Sequence, residues 1–324
     1  MKLRAFLTKS TPLISLYTMA RQGNISPAYI FVCEDETLLD EAVATFIAQR
    51  IIKSGQDIEK VVDKILRGGY ADIKFFPEGD SVKVDDVKNL VQDVYYTPME
   101  LDVKFYIINN AETANDAAQN KLLKTLEDAS SSTCIILKCK KVEKILPTIK
   151  SRCQRIEIPP YSYEELSEEL ARNYVEDESF NFALSVSGGY PGIAIKAMED
   201  KSKYAMFQLA RETLLFMKTS KDMLHYSAKW LAQKNSVREI LDNVERFMSD
   251  LVLLDACQGS LIKLKSNTKD LITLKSMGYT GEVALKILPR IAESKQKLDF
   301  NASVVTIIDA ILYSILEVKA KCRK

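Results

Sequence analysis

Apolar residues recur along this chain in two rhythms, and the change from one to the other divides it. Ala28–Val32, Phe105–Ile108 and Cys134–Leu137 are short apolar runs without polar alternation, the pattern of strands covered on both faces of a parallel sheet. Ile73–Phe76 reads as a further short strand. Between the runs at 105 and 134, Ala118, Leu122 and Leu126 recur every fourth residue and share a helical face. Thr113 and Asp116 offer that helix a box-like cap, and Ser131 to Thr133 a turn into the next strand. A short helix and a last strand carry the chain to Ile158, completing a βαβ unit. Upstream, Leu13, Leu16 and Ala20 predict a helix over 13–21 that stops at Gly23 and Asn24. Leu38, Ala42, Val43, Phe46, Ile47 and Ile51 give 37–52 a broad apolar stripe. Val84, Val87, Leu90, Val91 and Val94 suit one more buried face, and the turn Thr97–Glu100 returns the chain to the central unit.

Pro159-Pro160 cannot continue a strand ladder and marks a boundary. Beyond it the rhythm is helical. Leu166, Leu170 and Tyr174 line one helix, and Ser187–Gly192 separates two others. From about residue 204 periodicity runs through Met206, Leu209, Leu214 and Met217, then Leu224, Ala228 and Leu231, then Ile240, Val244, Phe247, Leu251 and Leu254. Pro289 kinks or starts a helix within 281–297. Asn301 precedes a face made by Val304, Ile307, Ile308, Ile311 and Ile315.

The 324 residues suffice for two or three domains with separate cores. A formal net charge of +1, from 45 basic and 44 acidic residues, supplies no global field toward nucleic acid or membrane. Six cysteines, at 33, 134, 139, 153, 257 and 322, form no CxxC pair and no regular framework, as expected of reduced intracellular thiols. The N-terminus has basic then apolar residues, but Thr8, Lys9, Ser10 and Pro12 break the run, so a secretory signal is not expected. No window approaches the ~18 uninterrupted apolar residues of a membrane span. His225, the single histidine, leaves almost no material for histidine metal sites or Ser-His and Cys-His catalysis.

Two segments are more specific. Asn120-Lys-Leu-Leu-Lys-Thr-Leu-Glu-Asp128 and Leu146-Pro-Thr-Ile-Lys-Ser-Arg-Cys-Gln154 closely resemble the NALLKTLEE and LPTI-x-SRCQ patterns of the bacterial clamp-loader subunits of DNA polymerase III, in the same order and at the same separation. The helix, Gly23 turn and Ala28–Val32 strand of the opening are similar too, with Pro27 where that family usually has histidine. The resemblance implies an α/β AAA+-type parallel-sheet domain over 1–160, a small helical lid domain over 161–203 and an all-α collar domain over 204–324.

An ATPase of that family would follow its first strand with GxxxxGK[ST]. Its glycines let backbone N–H groups wrap the phosphates, while the lysine and hydroxyl engage phosphate and magnesium. This chain has Cys33-Glu-Asp-Glu-Thr-Leu-Leu-Asp40. It lacks glycine, Leu38 and Leu39 end the loop with Leu39 at the lysine's place, and Glu34, Asp35 and Glu36 would repel a triphosphate. Asn109-Asn110 stands where an acidic pair would hold magnesium and orient water. Lys138-Cys-Lys140 replaces the polar sensor beyond 134–137, and Gly192 takes the place of a nucleotide-sensing arginine in the lid, although a plain helix–turn–helix spacer fits those residues equally. Many relatives carry four zinc-binding cysteines in the segment corresponding to 53–70, which here contains none. Neither a nucleotide cofactor, nor a metal, nor intrinsic ATPase activity is expected.

Arg152, between Ser151 and Cys153, matches the family arginine placed at a protomer edge to face ATP held by the neighbour. A fixed planar cation meeting charge on the γ-phosphate is worth roughly a thousandfold in rate. A local pair with a carboxylate is the plain alternative. Lys138, Lys140, Lys141, Lys144, Lys150, Arg152 and Arg155 fall in one short span, either a solvated rim or an edge facing DNA phosphates. The resemblance as a whole implies a cytoplasmic, non-ATPase subunit of the delta-prime branch. Its implied partners are gamma/tau and delta subunits in a hetero-pentamer that places the sliding clamp on primed DNA, within a DNA-directed DNA polymerase holoenzyme and away from membranes. Two alternatives stand beside it. A gamma/tau-type ATPase requires nucleotide binding by the isolated chain; a degenerate AAA+ adaptor outside replication would assemble without polymerase or clamp-loader subunits.

Overall fold

Five strands, β1 (Ala28–Val32), β2 (Ile73–Phe76), β3 (Lys104–Ile108), β4 (Thr133–Cys139) and β5 (Gln154–Glu157), pair in parallel in the order β2-β3-β4-β1-β5. The computed structural model describes residues 3–77, 79, 81–127, 132–300 and 302–321; Asp128, Ser131, Asn301 and Cys322 lie outside the described residues. The chain divides into two units, Met1–Tyr174 with Gly189–Ile193, and Val175–Gly188 with Ala194–Lys324.

In the first unit the sheet is covered on both sides, which is why its strands read as unbroken apolar runs. Alternate residues Ile30, Tyr106, Ile108, Ile135 and Leu137 face one side. There they meet Val87 and Leu90 of α5 (Val84–Asp93), Ala118, Leu122 and Leu126 of α6 (Asp116–Glu127), and Ile149 of α7 (Pro147–Lys150). The opposite side packs on α3 (Glu36–Ile51), where Phe46 stands edge-on to Tyr29 at 4.9 Å and lies 5.8 Å from Phe31. Burying such a ring contributes about 1.5–3 kcal/mol. α2 (Thr11–Arg21) and α4 (Ile58–Leu66) pack on α3 in turn, and α1 (Arg4–Leu7) precedes them. α2 buries Leu13, Leu16 and Ala20 as expected, and Gly23 leaves it at φ +84°.

The α6 cap differs from expectation. Asn115 Oδ1 accepts the Ala118 N–H at 2.9 Å, whereas the Thr113 hydroxyl donates to the Asn110 carbonyl at 2.7 Å. A 3₁₀ turn at Ala111–Thr113 uses up Thr113 before the helix begins. At the far edge the Ile158 N–H donates to the Val32 carbonyl at 3.0 Å, and Pro159 and Pro160 then offer no further donor. α8 (Tyr163–Ala171) buries Leu166 and Leu170; Tyr174 follows the helix rather than lying on it.

The second unit is helical: α9 (Glu178–Val186), then α10 (Pro191–Glu199), whose first turn belongs to the first unit, then α11 (Lys201–Phe216), α12 (Ser220–Ala232), α13 (Val237–Asp255), α14 (Thr268–Ser276), α15 (Gly281–Asp299) and α16 (Val304–Lys321). α13 packs between α11 and α15, and α16 packs on α12 and α15. Phe207 stacks on Phe247 at 5.5 Å at the centre. The expected face of α12 is a correction: Leu224, Ala228 and Leu231 are exposed, while Tyr226 and Trp230 are buried. Both stripes have helical period and differ only in phase; the aromatic one has the larger area to bury. Pro289 lies inside α15, not at its start. No helix among the described residues is long and apolar enough to cross a membrane.

Candidate functional site

Residues 33–40, 109–110 and 138–140 lie at or just past the carboxyl ends of β1, β3 and β4. Past β1, the Cys33 N–H donates to the Cys139 carbonyl at 3.1 Å, and the chain turns directly into α3. No residue from 33 to 40 has a positive φ, so the left-handed backbone that gathers N–H groups around a phosphate is missing. Leu38 and Leu39 are buried in the core. Cys33 is buried as well, and burial pushes its thiol up to about 12. Glu34, Asp35 and Glu36 take three different surroundings. Glu34 is exposed, Glu36 accepts from Lys140 Nζ at 3.2 Å, and Asp35 is 1% exposed and caps α3 by accepting the Leu38 N–H at 3.1 Å.

Lys138 is the residue that the sequence misplaced. It reads as part of a basic run, yet its side chain is 7% exposed, because it belongs to β4 opposite Phe31 of β1. Its ammonium donates to Asn109 Oδ1 at 2.7 Å and forms an ion pair with Asp40. One buried cation thus ties α3 to the residue that follows β3. The signal in the sequence was a lysine inside an otherwise apolar strand, which needs a partner wherever it is buried. Asn110 explains its own identity: it sits at φ +48°, where asparagine is among the few side chains tolerated.

β1, β4 and β5 also open onto a cleft of about 330 Å³. Lys140, Lys141 and Arg155 line it against Glu34, Glu143 and Glu157, and Arg155 donates to Glu157 at 2.8 Å. A lining with both signs in equal number gives no positive field for a triphosphate. At Gly192 an added Cβ would run into the Asp35 carboxylate, so the position implied for a sensing arginine has no room for a side chain.

Arg152 lies at the other end of the sheet. It precedes β5, whose Gln154 pairs with Tyr29 at the start of β1, whereas Cys33 follows Val32, paired with Glu157. Four paired residues at ~3.3 Å each put more than about 10 Å between them. Arg152 Nη1 donates to the Thr148 carbonyl at 3.0 Å and to Ser151 Oγ at 3.4 Å, and Nη2 pairs with Glu127 Oε1 at 2.5 Å. The local carboxylate pair is therefore present in the free chain. Both side chains are exposed, 38% and 49%, and such a surface pair costs only about 0–1 kcal/mol to give up. Ser151 is exposed and donates to the Thr148 carbonyl. Cys153 is half-buried, its thiol pushed up to about 12 by burial. Lys140, Lys141, Lys144 and Arg155 are exposed.

Residues 9–162 match the family described as DNA polymerase III, delta subunit. The chain is 23% identical to DNA polymerase III subunit gamma of Buchnera aphidicola over 288 residues, 80% of this chain and 78% of that one. It is 31% identical to subunit delta' of Pseudomonas aeruginosa and 28% identical to that of Bacillus subtilis, each over 160 residues, 48% of this chain and 49% of the relative. The similarity thus spans about half the length of these delta-prime relatives. Among solved structures, a gamma-subunit-related protein of DNA polymerase III from Thermotoga maritima superposes with a TM-score of 0.51 at 17% identity, covering 94% of this chain and 99% of its own. That likeness is one of fold, a parallel sheet flanked by helices and followed by a helical unit.

Proposed function

We propose that this chain is a DNA polymerase III clamp-loader subunit of delta-prime type without ATPase activity of its own, a reading supported by the family match of residues 9–162 and by the gamma and delta-prime relatives. The observation that carries the reading is the Lys138 bridge from Asp40 to Asn109. The protein's own ion pair occupies the neighbourhood where a family ATPase places triphosphate and magnesium, so neither cofactor is assigned here. Its partners are gamma/tau and delta subunits in a hetero-pentamer, and through that assembly the sliding clamp and primed DNA, in the cytoplasm. Residues 204–324 serve as the collar that joins the ring and 161–203 as a lid without a sensing arginine.

Arg152 is the group assigned to chemistry outside this chain. It lies away from the altered nucleotide motifs, so the ATP it meets is a neighbour's. Its planar guanidinium, released from Glu127, matches the equatorial oxygens of a γ-phosphoryl group and offsets their charge as the bond to the leaving group loosens. Reconstitution with Arg152→Ala tests this: the complex assembles, and DNA- and clamp-stimulated ATP hydrolysis falls by about a thousandfold at the adjacent site. Unchanged hydrolysis removes the role. The gamma relative, matched over 80% of this chain, favours one second reading, an active gamma-type ATPase. A tight, magnesium-dependent nucleotide dissociation constant for the isolated chain would establish that reading instead, and assembly without polymerase subunits would point to an adaptor outside replication.

A further inference from the structure

The two oxygens of Asp35 serve two different helices. Oδ1 accepts the Leu38 N–H in the first turn of α3 at 3.1 Å, and Oδ2 accepts the Gly192 N–H in the first turn of α10 at 2.6 Å. Both donors belong to helix N-termini, whose first N–H groups lack intrahelical partners and attract negative charge. Asp35 is 1% exposed, and polar oxygens so removed from water need donors from the protein itself. Glycine at 192 lets the backbone come this close, since a Cβ would collide with the carboxylate. The same segment is fixed a second time: the Tyr161 N–H donates to the Gly189 carbonyl at 2.9 Å, and Gly189, at φ +89°, has Tyr161 and Pro160 where a side chain would go.

We propose that Asp35 is an internal substitute for a bound phosphate. It joins the N-termini of α3 and α10 as an anionic ligand would, and so keeps Gly189–Ile193 closed on the start of α3 in a chain that takes no nucleotide. The proposal rests on that reading of residues 33–40 but is tested apart from it. ATP binding by the wild-type chain would defeat the reading without altering the exchange measurement below.

Hydrogen exchange of the full chain, followed by mass spectrometry, is the test. In Asp35→Ala, peptides covering 189–194 and 36–40 exchange about tenfold faster, the change expected from loss of a hydrogen bond to a charged group. Peptides from β3 and β4 keep wild-type rates, which shows that the fold is intact. Asp35→Asn, which retains an acceptor without the charge, falls between. Inorganic phosphate slows exchange at the same amides in Asp35→Ala and has no effect on wild type. Should Asp35→Ala fail to fold, Gly192→Ala carries the test, because it keeps the carboxylate and displaces the donor. Acceleration at 36–40 with less than twofold change at 189–194 would reduce Asp35 to a helix cap and overturn the closure. Failure of phosphate to restore protection would overturn the comparison with a bound anion.

Discussion

Removing Asp40 should destabilise the sheet unit more than removing the lysine it pairs with. The Lys138 side chain is 7% exposed and that of Asp40 is 40% exposed, so the two partners are unequally dependent on the pair. Asp40→Ala leaves an ammonium inside β4 with Asn109 Oδ1, 2.7 Å away, to answer it. Breaking a fully buried pair from one side costs about 3–5 kcal/mol, and water reaching the Asp40 side brings the figure here to about 2–3 kcal/mol. Lys138→Met removes the buried charge, keeps the volume of the stem, and leaves a carboxylate that solvent already reaches; its cost is about 0–1 kcal/mol. The double variant should then recover most of what Asp40→Ala loses, a coupling expected of contacting groups. Urea unfolding by far-UV circular dichroism measures the difference. The chain's one tryptophan, Trp230, lies in the helical unit, so a dichroism change without a shift in its fluorescence places the loss in the sheet unit. Equal costs for the two single variants, or a double variant that costs their sum, would refute the argument.

Three further outcomes follow from the described contacts. Trp230 Nε1–H donates to Thr213 Oγ1 at 2.9 Å with both residues fully buried; Thr213→Val strands that donor and should cost about 1–3 kcal/mol, read from the fluorescence transition. Asp72 is buried, which raises its carboxyl, but the N–H groups of Glu100, Met99 and Leu101 and nearby Lys104 outweigh burial and hold it below the ordinary range. A depressed folded value contributes stability above the unfolded value of ~3.9 and loses it as pH falls through the folded one. Asp72→Asn should therefore lower stability at neutral pH and converge with wild type in acid, as pH-dependent urea midpoints will show; a gap that widens below pH ~4 contradicts the sign. Cys257 is exposed, whereas Cys33, Cys134 and Cys139 are buried with thiols pushed up by burial. Iodoacetamide mapping should find Cys257 alkylated in the native chain and the other three only on unfolding.

The sheet was legible because its code is coarse. A strand covered on both faces needs an unbroken apolar run, and Ala28–Val32 appears at the residues where periodicity put it. The phase of α12 was not, because two stripes of the same period compete on one helix and only the packed unit decides between Leu224 with Leu231 and Tyr226 with Trp230. Nor was the cap of α6: Thr113 and Asn115 are both good cap residues, and a 3₁₀ turn two residues earlier selects the second.

The segments at 33–40, 109–110 and 138–140 divide along the same line. A phosphate loop requires glycines and a lysine at fixed positions, so that residues 33–40 do not spell one can be read from letters alone. What replaces it cannot. Lys138 and Asp40 are separated by 98 positions, and Asp35 and Gly192 by 157; each looks locally like something else, a basic run, a helix start, a flexible turn. Folding brings Lys138 against the half-exposed Asp40 and the Asp35 carboxyl against the Gly192 N–H. At the amino end of the same sheet Arg152 keeps an exposed guanidinium on the still more exposed carboxylate of Glu127. Internal pairing that is buried is costly to undo, and surface pairing is not. The Arg152–Glu127 pair therefore costs less to break than the pair that holds Lys138, and the Arg152→Ala reconstitution proposed above depends on that difference.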